Sequence, residues 1–317
     1  MQKILCLGEA LIDMICTDKG TSLTHGVNFL KKPGGAPTNV AAAIAALGGQ
    51  VSVAAMVGTD PFGDHLQNVL EKFGVDTTYL LTSPAHFTTF AFVSLLENGE
   101  RDFYFNRGAD AAFGLPQIEQ IACQQFGIFH FGSATAFLGG PLQQAYNALL
   151  HKAQLQQAFI CFDPNYRQLL FGKNQESFIE QSWQYLHACN FFKVSDEEAL
   201  LLTQTQTLQE AVEIFQAKTT AVFAITLGKD GTLLRVGNHV QTIPSIPITP
   251  VDTTGAGDAF VGAVLYQLSV LDANTIHSLD AATWTSLVQK ANKAGARTCE
   301  FMGAMEAFRY LNKEILA

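Results

Sequence analysis

Residues 251–262 read Val-Asp-Thr-Thr-Gly-Ala-Gly-Asp-Ala-Phe-Val-Gly. Glycines flank an alanine at 255–257, an acid follows at 258, and an apolar run of helical length follows the acid. A glycine-bounded turn at a helix start lets backbone N–H groups approach an anion closely. The helix dipole favours that anion. Asp258, in the first turn, would face the same point. A carboxylate beside an anion nest suits removal of a proton from a hydroxyl that attacks a phosphoryl group. On spacing alone, the stretch is equally an ordinary glycine-rich turn with an acid at a helix start.

Asp252-Thr253-Thr254-Gly255-Ala256-Gly257-Asp258, with Phe260-Val261-Gly262 after it, resembles the C-terminal signature of the ribokinase/PfkB family of carbohydrate kinases. Lys32-Pro33-Gly34-Gly35-Ala36-Pro37-Thr38-Asn39-Val40-Ala41 resembles the family's N-terminal signature. The two stand in the family's order, and the resemblance covers essentially the whole chain. Gly8-Glu9-Ala10-Leu11-Ile12-Asp13, Phe162-Asp163-Pro164-Asn165-Tyr166-Arg167 and Lys193-Val194-Ser195-Asp196-Glu197-Glu198 look most like the fructokinases of that family.

The resemblance implies an ATP-dependent kinase of a small sugar, with Mg²⁺ and K⁺ as accompanying ions. D-fructose is the first acceptor it suggests. An aminoimidazole riboside, 2-keto-3-deoxygluconate and ribose remain open, because lid residues decide the acceptor and the lid carries the weakest motifs. A sugar or nucleotide sensor on the same fold is the non-enzyme alternative. Such a protein would usually lose the base or the glycines of the anion hole, and both are intact here.

Roles carry over residue by residue. Gly255, Ala256 and Gly257 would form the anion hole, and Asp258 would be the base. Asp13, expected at the end of the first strand, would accept hydrogen bonds from sugar hydroxyls, or stand there as a solvated acid. Gly34 and Gly35 would let backbone approach the sugar. Asn39 would bind its hydroxyls or simply cap a helix. Arg167 would reach the sugar or the transferring phosphoryl, or lie on the surface. Phe105, with Phe103, would pack over the sugar ring or belong to the core. On the nucleotide side, Lys193 would sit near the ATP phosphates. Glu198 would organise Mg²⁺ through water, although Ser195 stands where many relatives have Asn. Thr226, Gly228 and Gly231 would form the ATP loop, otherwise a plain β-turn. Asn292 matches an adenine-side position. Asp252 and Thr254 would hold a monovalent cation or shape the loop.

These residues need a scaffold. Ile4–Gly8, Val51–Gly58, Ile128–Gly132, Ala158–Asp163, Asn190–Ser195 and Val222–Gly228 are short apolar runs, the pattern of parallel strands buried on both faces. Asn39–Leu47, Pro61–Phe73 and Pro141–Gln157 read as helices between them. The alternation predicts an α/β fold with a mostly parallel sheet flanked by helices. The resemblance makes that fold ribokinase-like, a Rossmann-like three-layer arrangement. Residues 14–32 and 86–107 break the rhythm. The second is β-prone with a turn at Glu97-Asn98-Gly99-Glu100, so the two segments predict a small β lid. The core is expected from 1–13, 33–85 and 108–317.

The 317 residues are 48% hydrophobic and 15% charged, enough to bury a sizeable core. The net charge of −9 argues against a nucleic-acid partner, which would call for clustered Lys and Arg. The cysteines at 6, 16, 123, 161, 189 and 299 form no C-x-x-C pair and read as free thiols in a reducing compartment. No signal peptide or membrane-length apolar run is read. The expected location is the cytoplasm, the expected partners are sugar and ATP, and lid-to-lid homodimers are common among similar proteins. There is no G-x-x-x-x-G-K-[ST], which excludes a P-loop enzyme. Phe260 stands where a dinucleotide-binding motif would need its third small residue.

Overall fold

The computed structural model describes residues 1–98 and 100–316. In chain order the strands and helices begin with β1 (Ile4–Leu7), β2 (Leu11–Cys16), β3 (Phe29–Gly34), α1 (Ala36–Ala46), β4 (Val51–Gly58), α2 (Pro61–Phe73), β5 (Asp76–Ser83), β6 (Thr89–Leu95) and β7 (Arg101–Asn106). They continue with α3 (Leu115–Ile118), β8 (Ile128–Phe131), α4 (Pro141–Leu155), β9 (Phe159–Phe162), α5 (Gln168–Phe171), α6 (Gln175–Ala188) and β10 (Phe191–Ser195). The last third holds α7 (Asp196–Thr203), α8 (Leu208–Lys218), β11 (Val222–Thr226), β12 (Thr232–Val236), β13 (His239–Ile243), α9 (Ala256–Ser269), α10 (Ala281–Cys299) and α11 (Ala304–Phe308).

Nine strands form the main sheet in the order β13-β12-β11-β10-β9-β8-β1-β4-β5. It is parallel except where β12 joins β11 and β13. Every residue of β1, β4, β8 and β9 is buried, as strands covered on both faces must be. One core cluster joins Cys6, Cys161 and Phe191 to apolar residues of α1, α9 and α10. The other joins Leu5, Phe129 and Phe162 to residues of α4, α6 and α8. Helices on both faces of a mostly parallel sheet are the predicted fold class.

The second sheet has four strands, β3-β2-β6-β7. Its strands overrun the segment expected at 14–32, because β2 starts at Leu11 and β3 ends at Gly34. Asp13 therefore lies inside β2, not at the end of the first strand. The physical reason is Gly8, whose φ of 150° turns the chain between β1 and β2. In the β6–β7 hairpin, Leu96 N–H donates to the Glu100 carbonyl at 2.9 Å, while Gly99 of the expected turn lies outside the described residues.

Local chemistry explains the helices that matter most. Helix α1 begins at Ala36, earlier than expected, with Gly35 as its N-cap and Pro37 in the first turn. Helix α9 is preceded by Gly255 in the left-handed region, φ 81°. Helices α1 and α9 pack together where Gly262 has no side chain; a Cβ there would lie 2.7 Å from the Ala43 Cβ.

Candidate active site

Asp258 sits in the first turn of α9, with 8% of its surface exposed. The Asn39 amide donates to its Oδ2 at 2.9 Å. Burial pushes the Asp258 carboxyl up to about 6; the Asn39 hydrogen bond opposes the rise, nearby Asp163 adds to it, and Arg167 and Lys193 oppose it. A base near neutral pH is both ionised and able to accept a proton. Asn39 is inside α1, so the capping alternative is excluded; Gly35 holds that position.

The turn before Asp258 depends on glycine twice. Gly255 takes a left-handed φ, and a Cβ there would lie 2.5 Å from the Ala304 Cβ of α11. A Cβ on Gly257 would lie 3.1 Å from Lys193 Nζ, so the ammonium stands against the anion turn. Of the three expected anion-hole residues, Ala256 turns its N–H to the Thr253 carbonyl at 3.2 Å. The N–H groups of Gly257 and Asp258 are the first-turn donors left without an acceptor among the described residues.

Lys193 comes up from β10 and pairs with Asp163 Oδ2 at 3.2 Å. Burial alone would depress its ammonium, but Asp163, Glu198 and Asp258 together hold it above its ordinary value. Both Glu198 oxygens accept backbone N–H groups, Oε1 from Tyr166 and Oε2 from Ser195, each at 2.8 Å. Ser195 in turn caps α7 by accepting Glu198 N–H at 3.1 Å.

Among the residues expected to meet the sugar, Asp13 and Phe105 are brought by the small sheet into one cross-strand row through Ala91. Phe105 stacks against Phe103 with ring centroids 6.2 Å apart. Burial raises the half-buried Asp13 carboxyl to about 7, with Arg167 lowering it and Glu9 adding to the rise. A Cβ on Gly34 would collide with Asp13 Oδ2, so the carboxylate lies flush on the glycine backbone. At Gly35, φ 105°, a Cβ would collide with the Glu9 carbonyl oxygen. The Arg167 side chain is exposed and donates to Asn165 Oδ1 at 3.2 Å and to the Tyr166 carbonyl at 3.1 Å.

The remaining predicted residues are structurally engaged. Thr226 closes β11 and donates to the Val194 carbonyl at 3.3 Å. Gly228 and Gly231 turn the chain with φ 57° and 99°. Asn292 is buried; its oxygen accepts from Thr232 Oγ1 at 2.6 Å and its nitrogen donates to the Ile243 carbonyl at 3.2 Å. Its amide thus binds β12 and β13 to α10. Asp252 Oδ1 accepts from Thr254 Oγ1 at 2.7 Å, and Oδ2 accepts from Gly303 N–H at 2.8 Å.

Two carboxylates given no role from sequence stand beside the site. Glu9 is buried, accepts Ser133 Oγ at 2.5 Å and receives Ala36 N–H at 3.2 Å, at the start of α1. Asp163 holds Lys193 and shares the field of Asp258. Both lie in motifs already quoted, which was the available signal.

A buried carboxylate at a glycine-bounded helix start, a lysine against that turn and a second acid, Asp163, paired with that lysine make a phosphoryl-transfer constellation. Residues 1–309 match the pfkB family of carbohydrate kinases. The chain belongs to that family. Probable fructokinase-3 of Arabidopsis thaliana is 33% identical over 308 residues, covering 96% of this chain and 88% of the relative. A fructokinase double mutant from Vibrio cholerae O395, solved with fructose, ADP and potassium, is 31% identical with a TM-score of 0.81, over 100% of this chain and 97% of that one. The Xylella fastidiosa fructokinase with bound ATP is 28% identical with a TM-score of 0.85, over 99% and 96%. As a pfkB carbohydrate kinase, the chain is a phosphotransferase acting on a sugar hydroxyl. Among the described residues no helix is long and apolar enough to cross a membrane.

Proposed function

We propose that the protein phosphorylates D-fructose on O6 with ATP. The observation that carries the chemistry is Asp258, held by Asn39 at the start of α9 with its carboxyl raised to about 6. The fructokinase relatives support the acceptor. Asp258 takes the proton of the attacking hydroxyl. The sugar oxygen bonds to the γ-phosphorus as the bond to the bridging oxygen of ADP breaks. Lys193 and the N–H groups of Gly257 and Asp258 face the developing negative charge. Asp13, Gly34, Gly35, Asn39, Phe105 and Arg167 form the sugar side. Thr226, Gly228 and Gly231 form the nucleotide side, with Asn292 bracing its wall.

Mg²⁺ fits this donor set as a hydrated ion on the ATP phosphates. Glu198 and Asp163 already accept hydrogen bonds, so their remaining lone pairs suit water more than direct ligation. Bound there, Mg²⁺ would neutralise phosphate charge. Asp252 and Thr254 offer hard oxygens for K⁺ beside the anion turn. The apolar row Leu30, Ile15, Val93 and Phe103 on the small sheet, exposed at Leu30 and Ile15 and half-buried at Val93 and Phe103, supports a homodimer through the lid. Six free cysteines, five of them buried, support a reducing, cytoplasmic setting.

A coupled ADP-release assay across fructose, ribose, the aminoimidazole riboside and 2-keto-3-deoxygluconate tests the acceptor. Fructose should give the highest kcat/KM. Another acceptor ahead by more than about tenfold would replace it.

A further inference from the structure

We propose that Asn165 is the positioning residue of Arg167, fastening the arginine that serves the sugar and the transferring phosphoryl; the proposal rests on that reading of Arg167. Three non-glycine residues among those described have positive φ: Gln157, Asn165 and Gln204. Gln157 and Gln204 follow helices α4 and α7, where a left-handed residue is an ordinary terminator. Asn165 terminates no helix. It is buried in the loop that leaves β9, with φ 49°. A left-handed residue away from a helix end persists where its surroundings hold it.

What holds it is a set of hydrogen bonds. Its backbone N–H donates to Asp163 Oδ1 at 3.2 Å. Its side-chain nitrogen donates to the Gly132 carbonyl at 2.9 Å, just beyond β8. Its side-chain oxygen accepts from Arg167 Nη2 at 3.2 Å. The next residue, Tyr166, donates its N–H to Glu198. At Gly132 the buried His130 ring lies against the backbone and leaves no room for a Cβ. The amide of Asn165 therefore ties the neighbouring strand to the guanidinium.

Arg167 needs such a tie. It is exposed, with a long side chain whose freedom would otherwise scatter its charge. Fastened as observed, its charge acts on Asp13 and Asp258 together. Asparagine suits the position on two counts: it tolerates the left-handed backbone, and it offers a donor and an acceptor from one amide.

A double-mutant cycle in the full-length protein tests this. Asn165→Gly keeps the left-handed backbone and removes the amide. Its kcat/KM for fructose should fall about tenfold to a hundredfold, the range for a lost hydrogen bond to a charged group. In the Arg167→Ala background the same change should lower kcat/KM by less than about threefold, because there is nothing left to position. Effects that multiply in full would overturn the proposal and make Asn165 a structural residue. Melting temperatures of all four proteins separate a loss of fold from a loss of placement. If Asn165→Gly does not fold, Asn165→Ser replaces it in the cycle, its hydroxyl being too short to span both partners. Arg167→Ala with wild-type kinetics would remove the reading of Arg167 and the proposal together. A wild type that prefers another acceptor would overturn only the fructose assignment, and the cycle is then read with that acceptor.

Discussion

The Asn39 amide nitrogen lies 2.9 Å from Asp258 Oδ2, joining residues 219 positions apart in the chain. The donor is in the N-terminal signature and the acceptor in the C-terminal one, so folding turns two separate sequence signals into one hydrogen-bonded pair. The hydrogen bond fixes one carboxylate oxygen and leaves the other to receive a proton. It also opposes the rise in pKa that burial imposes on Asp258.

Asp258→Asn should lower kcat by at least about a hundredfold and change sugar and ATP affinities by less than about tenfold. The stability sign runs the other way. A carboxyl raised to about 6 binds its proton more tightly in the folded chain than in the unfolded one. Stability from this group is therefore greatest at low pH and falls as pH rises between about 4 and about 6. At pH 8 the Asn variant should melt no lower than wild type, and calorimetry reads it. A folded variant with kcat within a factor of five of wild type would end the assignment of the base.

Asn39→Leu removes the hydrogen bond that favours the ionised carboxylate. The acid limb of kcat/KM, set by a group near pH 6 in the free protein, should move to higher pH. The groups facing Asp258 besides Asn39 are Asp163, Arg167 and Lys193, all present in the variant. A pH–rate profile with an unmoved acid limb would show that Asn39 does not tune the base.

Gly34→Ala and Gly35→Ala should separate binding from folding. The new methyl at 34 meets the far end of the Asp13 side chain, which can swing away. KM for the sugar should rise by about tenfold or more with a small change in melting temperature. At 35 the methyl meets the Glu9 backbone, and φ is 105°. That variant should lose about 1–3 kcal/mol of stability, seen as a lower melting temperature. Equal effects in both assays for the two variants would contradict this division.

Potassium should raise activity above that in tetramethylammonium at equal ionic strength. Asp252 grips Thr254 and the Gly303 N–H, so a cation among these oxygens would stiffen the turn into α9. Asp252→Asn should blunt the difference. Equal rates in the two salts would remove the cation from the account.

The core was legible because its strands are buried on both faces and read as short apolar runs that end in glycine or a polar residue. Asp258 was legible because a helix start is a local event. Asp13 was assigned to the wrong strand because the apolar run Ala10-Leu11-Ile12 masks the turn made at Gly8. Glu9 gave no local sign of its work, since its partners Ser133 and Ala36 meet it only in the fold. Asn165 was hidden for the same reason: the Gly132 carbonyl it needs belongs to another strand. Glu198 and Asn292 carry a different lesson. The resemblance points them to the nucleotide, while their observed hydrogen bonds engage Tyr166 and Thr232.

Gly262 and Ala43 stand one helical turn beyond Asp258 and Asn39 on the same pair of helices. With 2.7 Å between the Ala43 Cβ and the point where a 262 side chain would begin, neither helix can slide toward the other, and the contact has no rotatable atoms. The spacing of donor and base is thus settled when the chain folds, before any ligand arrives. On heating, this alignment has no softer joint at which to fail first. Thermal inactivation and loss of the native helices should therefore arrive at one temperature.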